Sequence, residues 1–203
     1  MRLARLSLPL ALLASALASS SCTPLGAAVG AGAAVGTAAA EERGLAGAAD
    51  DAKIQLDINH LWFQHDLEMY RKISMSVSEG RVLLTGSVEK PENRVDAVRL
   101  TWQAAGVKEV INEVQVVDQS GIADYATDVK ITAQMRSKLL FDKAVKNINY
   151  TVDCVNSTLY IMGIAQNQAE IDRINAHARE IPHVKRVVNH AVLKDDPRRI
   201  RKD

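Results

Sequence analysis

The chain is poor in the features that usually announce a function. It holds two cysteines in 203 residues, too few for a disulfide framework. Its formal net charge is +1, so no general affinity for polyanions follows. No apolar run reaches the about 20 residues that cross a bilayer. There is no CxxC, HExxH or GxSxG, and no glycine-rich loop leads from a strand into a helix, so metal and nucleotide chemistry lack a motif. His60 and His65 stand five apart, off the four-residue spacing that aligns two ligands on one helix face. His177, His183 and His190 are spread over helix, turn and strand. The carboxylates are scattered. These absences speak against an enzyme, a resident metal and a cofactor.

What the chain does hold is a segment written twice. Val107-Lys108-Glu109-Val110-Ile111-Asn112 reappears as Val184-Lys185-Arg186-Val187-Val188-Asn189, an offset of 77 positions. The offset extends upstream. Gly86 pairs with Gly163, each closing an apolar run, and Asp51, Lys53 and Ile54 pair with Asp128, Lys130 and Ile131. A repeat of this length marks a duplicated domain. Residues 50–118 form the first unit and 124–193 the second, each near the lower end of independent domain sizes. The first carries 12 acids and 8 bases, the second 7 acids and 9 bases, and the tail 194–203 carries 3 acids and 5 bases. The second half is the side suited to an anionic surface.

The periodicity of each unit reads α-β-β-α-β. In the first, Asp50-Asp51 caps a helix to about Gln64, with Ile54, Ile58, Leu61 and His65 at helical spacing beside Trp62. Ile73, Met75 and Val77 alternate along a strand, Glu79-Gly80 turns, and Arg81 to Val88 returns as a more buried strand. Pro91 opens a second helix with Val95, Val98 and Trp102 as its inner stripe, Gly106 ends it, and Val110 to Val116 is the third strand. In the second unit a helix runs from about Asp124 to Leu140 with Ile131, Met135 and Leu139 facing in. Strands follow near 149–155 and 158–164, then a helix near 168–181 and a strand over 185–193. The fold class is α+β: two tandem domains, each a three-stranded mixed sheet with two helices on one face. Cys154 lies in an alternating apolar run and reads as a small core residue.

The N-terminus reads as a secretory signal over residues 1–21. Arg2 and Arg5 precede an apolar run from Leu6 to Ala18, and small residues follow to Cys22. Cys22 sits where a lipoprotein signal places the acylated cysteine, with Ser19 three positions before it. Ordinary cleavage after Ala18 is the competing reading. Two or more acyl chains hold a protein firmly on a bilayer, since each buried CH₂ contributes about 0.8 kcal/mol. Residues 22–49, rich in Ala and Gly, read as a flexible tether. Export argues against nucleic acid as the partner of the basic tail, which reads as frayed.

The hairpin ending in Leu-Leu-Thr-Gly86 or Tyr-Ile-Met-Gly163, and the closing Gly-Val-Lys-Glu-Val-Ile-Asn (106–112) or His-Val-Lys-Arg-Val-Val-Asn (183–189), resemble the BON domain. Two such domains behind a lipoprotein signal and an Ala/Gly spacer are similar to the dual-BON outer-membrane lipoproteins of Gram-negative bacteria. The resemblance implies a lipid-anchored chain attached through Cys22, facing the periplasm from the inner leaflet of the outer membrane; a soluble periplasmic protein is the alternative. It also implies binding of anionic phospholipid and support of envelope integrity, without catalysis. Carried onto this chain, the lipid-contacting segment is 130–141. Lys130, Gln134, Ser137, Lys138 and Phe141 are expected to face out, with Leu140 at the boundary and Arg136 as a flanking base. Lys130 stands where a relative carries an aromatic residue, which keeps the attraction to headgroups but removes an interfacial ring. A second function stays open: a protein-interaction module assisting an outer-membrane assembly or quality-control machine.

Overall fold

The computed structural model describes residues 36, 38–117 and 122–199. The signal segment 1–21, Cys22, most of the tether, the linker residues 118–121 and the last residues of the tail lie outside the described residues.

Each repeat builds the same unit. In the first, helix α1 (Gly44–His65) and a short helix α2 (Leu67–Lys72) lead into strand β1 (Ile73–Ser78) and strand β2 (Arg81–Val88). Helix α3 (Pro91–Thr101) follows, then β3 (Glu109–Asn112) and β4 (Gln115–Val116). In the second, α4 (Ile122–Phe141) leads into β5 (Tyr150–Val155) and β6 (Thr158–Ala165), then α5 (Gln168–Arg179), β7 (Arg186–Asn189) and β8 (Val192–Leu193). The middle strand of each sheet pairs antiparallel with the first and parallel with the last.

The third strand was expected unbroken and is split in two. The repeated asparagine is the cause. Asn112 Oδ1 accepts from the Val114 amide (3.1 Å) and Asn189 Oδ1 from the Ala191 amide (2.9 Å), a local turn that competes with the ladder. The strand resumes as β4 or β8 on the same neighbour, β2 or β6.

The repeated aspartate also has a role other than the expected cap. Helix α1 begins at Gly44, so Asp51 lies inside it, only 3% exposed. Its carboxylate accepts from the amides of Glu79 (2.8 Å) and Gly80 (2.9 Å) in the β1–β2 turn and pairs with Arg43 (2.8 Å). Asp128 does the same for the β5–β6 turn through Asn156 and Ser157 (both 2.7 Å). Both turns place two successive residues at positive φ, 55° and 80° in the first and 49° and 63° in the second, as tight hairpins with right-handed twist require. The repeated glycines are dictated by crowding. A Cβ on Gly86 would lie 2.2 Å from the Lys72 carbonyl oxygen, and one on Gly163 would lie 2.2 Å from that of Asn149.

Helix and sheet meet in one core per repeat. Ile54, Ile58 and Trp62 pack on Val82, Leu84 and Val88, and Ile131, Met135 and Leu139 pack on Leu159 and Ile161. The inner stripe of α3 differs from expectation. Val98 packs against the core as expected, but Val95 and Trp102 are 64% and 52% exposed, and Ala97, Leu100 and Thr101 face inward in their place. Trp62 fills the space between α1 and α3, with its Nε1 donating to the Ala97 carbonyl (3.3 Å), so only small residues fit opposite it. His65 is exposed and meets Asp96 (3.0 Å) rather than the core. The α3 helix also stops at Thr101, before Gly106.

The two repeats pack sheet to sheet. Alternation along β2 and β6 sends Val82 and Leu84, or Leu159 and Ile161, to the helices, and Leu83, or Tyr160 and Met162, to the opposite face. Leu83, Tyr160 and Met162 form a third cluster between the sheets with Ile111, Val155 and Val188 beside it. Leu83 and Tyr160 are equivalent at the 77-residue offset, and so are Glu113 and His190, which meet at 3.0 Å on the rim. The contact is therefore near two-fold, and the layers run helix, sheet, sheet, helix. The tail is not frayed as far as residue 199: Arg199 makes a two-pronged pair with Glu79 of the first repeat (2.8 and 2.9 Å).

Candidate functional site

The candidate surface is built on α4. Its inner line of Asp128, Ile131, Met135 and Leu139 is fixed by the core and by the hairpin turn. The remaining positions of the helix must then face away. Lys130, Ser137, Leu140 and Phe141 are exposed, and Gln134 and Lys138 are half-buried. Leu140 and Phe141, at 62% and 79% exposure, are large apolar groups standing in water at the end of the helix. Lys130 lies eleven residues before Phe141, about 16 Å along the axis.

Ser137, Lys138 and Phe141 share one shallow recess of about 640 Å³ with Asp142, Lys143, Ala144, Arg173 and His177. Helix α5 supplies the last two. Asn167 caps it, accepting from the Glu170 amide (3.0 Å), and Arg173 and His177, one turn apart, reach Asp142. His177 Nε2 stands 2.6 Å from Asp142 Oδ2, and Arg173 pairs with the same oxygen. The Arg173 and His177 bonds and the Ala144 amide hold the Asp142 carboxyl well below the usual carboxylate range. Lys138 pairs with Glu180 (2.8 Å) and lowers the pKa of that glutamate. Lys130 and Lys143 have no ion pair among the described residues. Basic groups thus gather beside Phe141, and one carboxylate holds two of them in place.

Some of this surface escaped the sequence reading. Tyr125 and Val129, 73% and 49% exposed, extend the apolar line of Leu140 toward the start of α4. Their signal was present: Tyr125, Val129, Ala133 and Leu140 recur at helical spacing, off the inner line. Arg173 and His177 were not legible as members, because only the tertiary packing of α5 brings them to Phe141.

Among the described residues, no group of three His, Cys, Asp or Glu side chains is arranged to hold a metal. Cys154 is buried, and burial, then the bond to Asp128, pushes its thiol far up, so it is no nucleophile. No helix among the described residues is long and apolar enough to cross a membrane.

Comparison with known proteins follows the same lines. The chain is 39% identical over 146 residues to an uncharacterized protein in the gshII 5' region of Anaplasma centrale, covering 71% of this chain and 95% of that one. It is 27% identical over 147 residues to osmotically-inducible protein Y of Escherichia coli, covering 71% and 73%. It is also 27% identical over 143 residues to outer membrane lipoprotein DolP of Haemophilus influenzae, covering 70% and 74%. The BON domain model matches residues 50–118 and again 127–195. The same unit folds twice around the shared aspartate, glycine and asparagine, and the chain belongs to the BON-domain family.

Proposed function

We propose that this protein is a non-enzymatic component of the bacterial envelope that docks on anionic phospholipid through its second repeat and supports outer-membrane integrity. The observation that carries the reading is the end of α4, where Leu140 and Phe141 stand exposed and Phe141 shares a recess with Lys138, Lys143, Arg173 and His177. Apolar groups of this size enter the boundary between headgroups and acyl chains, while the bases meet anionic headgroups, each Lys or Arg worth about 1 kcal/mol near the surface. The relatives named as an outer membrane lipoprotein and an osmotically inducible protein support an envelope setting. Acylation of Cys22 belongs to the same reading and anchors the chain to the leaflet that α4 touches.

Vesicle co-sedimentation of residues 41–203, which lack Cys22, tests the docking without the anchor. Binding should rise with phosphatidylglycerol or cardiolipin content, and fall to background for Lys138→Glu combined with Leu140→Glu. Binding that ignores lipid charge, or that survives the double substitution, refutes it. Mass spectrometry of the native N-terminus tests the anchor separately: an unmodified Cys22, or cleavage after Ala18, removes it.

A further inference from the structure

The first repeat carries an exposed apolar line of its own, on the outer side of α1. Leu45, Ala49, Ala52, Leu56 and Phe63, with the polar Asn59 between the last two, are spaced 4-3-4-3-4, the seam of a coiled coil. They lie across the helix from its core line of Asp51, Ile54, Ile58 and Trp62. Leu45, Leu56 and Phe63 are 50%, 70% and 59% exposed. The line continues onto α2, where Leu67 and Tyr70 are 47% and 37% exposed and Tyr70 stacks edge-on to Phe63 at 5.6 Å. None of these side chains belongs to the core of its own repeat.

At the 77-residue offset this seam is equivalent to Val129, Ala133, Arg136 and Leu140 of α4. The chemistry has diverged. Asn59 stands where α4 carries Arg136, and the larger apolar groups Leu56 and Phe63 stand where α4 carries Ala133 and Leu140. Asp50, Asp57 and Glu68 sit close by, in a repeat with four more acids than bases. An anionic bilayer is therefore a poor occupant, because the acids repel it and the nearby bases Lys53 and Arg71 do not outnumber them.

We propose that the α1 seam pairs with the same seam on a second copy of this chain, antiparallel, with Leu56 on the two-fold axis. Three features select that arrangement. First, antiparallel pairing about Leu56 sets the small Ala49 against the large Phe63 of the other copy at both ends. A parallel pair stacks alanine on alanine and phenylalanine on phenylalanine. Second, it brings Lys53 beside Asp57 of the second copy, twice over, on the flank the two residues share. Third, the area suits a reversible contact. Taking side chains of this size at roughly 150–250 Å² each when fully exposed, the five large residues offer about 450 Å² per copy. The pair then buries about 900 Å², short of a standard interface of about 1,600 Å², so the dimer is weak and concentration-dependent. The pairing does not depend on the lipid contact of α4.

Oxidative cross-linking of the full chain tests the geometry, measured against the unsubstituted chain, in which Cys22 and the buried Cys154 set the background. Leu56→Cys should give a disulfide-linked dimer. Ala49→Cys alone should not, since two copies of that position lie about 21 Å apart along the antiparallel axis and a disulfide needs Cα atoms within about 7 Å. Copies carrying Ala49→Cys mixed with copies carrying Phe63→Cys should link again. In sedimentation velocity, Leu56→Glu, exposed and outside the core, should weaken self-association more than ~tenfold with unchanged circular dichroism. Linking at Ala49 alone, no linking at Leu56, or self-association indifferent to Leu56→Glu overturns the proposal. Burial of the seam by lipid vesicles in place of a second copy, read as protection of Phe63→Cys from a water-soluble thiol reagent, also overturns it.

Discussion

Removal of the Asp128 carboxylate should unfold the second repeat far more readily than its side-chain size suggests. Asp128 is 8% exposed, and its two oxygens accept from the Asn156 and Ser157 amides at 2.7 Å, with the Cys154 thiol at 3.2 Å. Asn156 and Ser157 hold φ of 49° and 63°, a conformation that disfavours residues other than glycine by roughly 1–2 kcal/mol each. Asp128→Ala deletes two bonds to a charged acceptor, each contributing about 1.5–3 kcal/mol, and strands two amides. The bonds are not independent, so the expected loss is about 3–5 kcal/mol, or roughly 10 °C in Tm for a body of this size. Thermal and urea unfolding followed by circular dichroism reads it. Ser157→Gly in the same background should recover about 1 kcal/mol, because glycine takes the positive φ without strain. A loss below about 1 kcal/mol, or no recovery with Ser157→Gly, would refute the view that this carboxylate holds the turn.

Two further outcomes are expected. Gly163→Ala should destabilise by more than about 2 kcal/mol in urea unfolding, since its Cβ meets the Asn149 carbonyl at 2.2 Å and the start of the β5–β6 ladder must shift. The Asp142 carboxyl is held below its ordinary value of 3.8 by Arg173, then His177, so its contribution is full above about pH 4 and is lost as pH falls below that value. Asp142→Asn should flatten the acid limb of the stability profile, and an NMR titration placing Asp142 at an ordinary carboxylate pKa would contradict it.

Much of this architecture is legible before any coordinates. The 77-residue offset announces two copies, and the line Ile131, Met135, Leu139 is buried at 1%, 0% and 3% as its spacing requires. Other features need the packed molecule. Reading Val95 and Trp102 as inner residues failed on α3, because Trp62 from the neighbouring helix takes the space opposite Ala97, and Val98 and Leu100 supply the larger inner groups. Asp51 reads as a cap by its type, but its partners, Glu79 and Gly80, lie 28 and 29 residues away, beyond any local rule. Helix α2 was missed, although Asp66 caps it by accepting from the Met69 amide at 2.6 Å with Glu68 in the first turn. The apolar tip of α4 was visible in sequence, whereas the neighbouring bases of α5 were not.

Back-to-back sheets have a consequence for reach. Successive layers stand about 10 Å apart, so the outward sides of α1 and α4 are separated by roughly 40 Å of protein. A flat surface in contact with one of them cannot touch the other. A partner on α4 would therefore leave the outward side of α1 facing away from it.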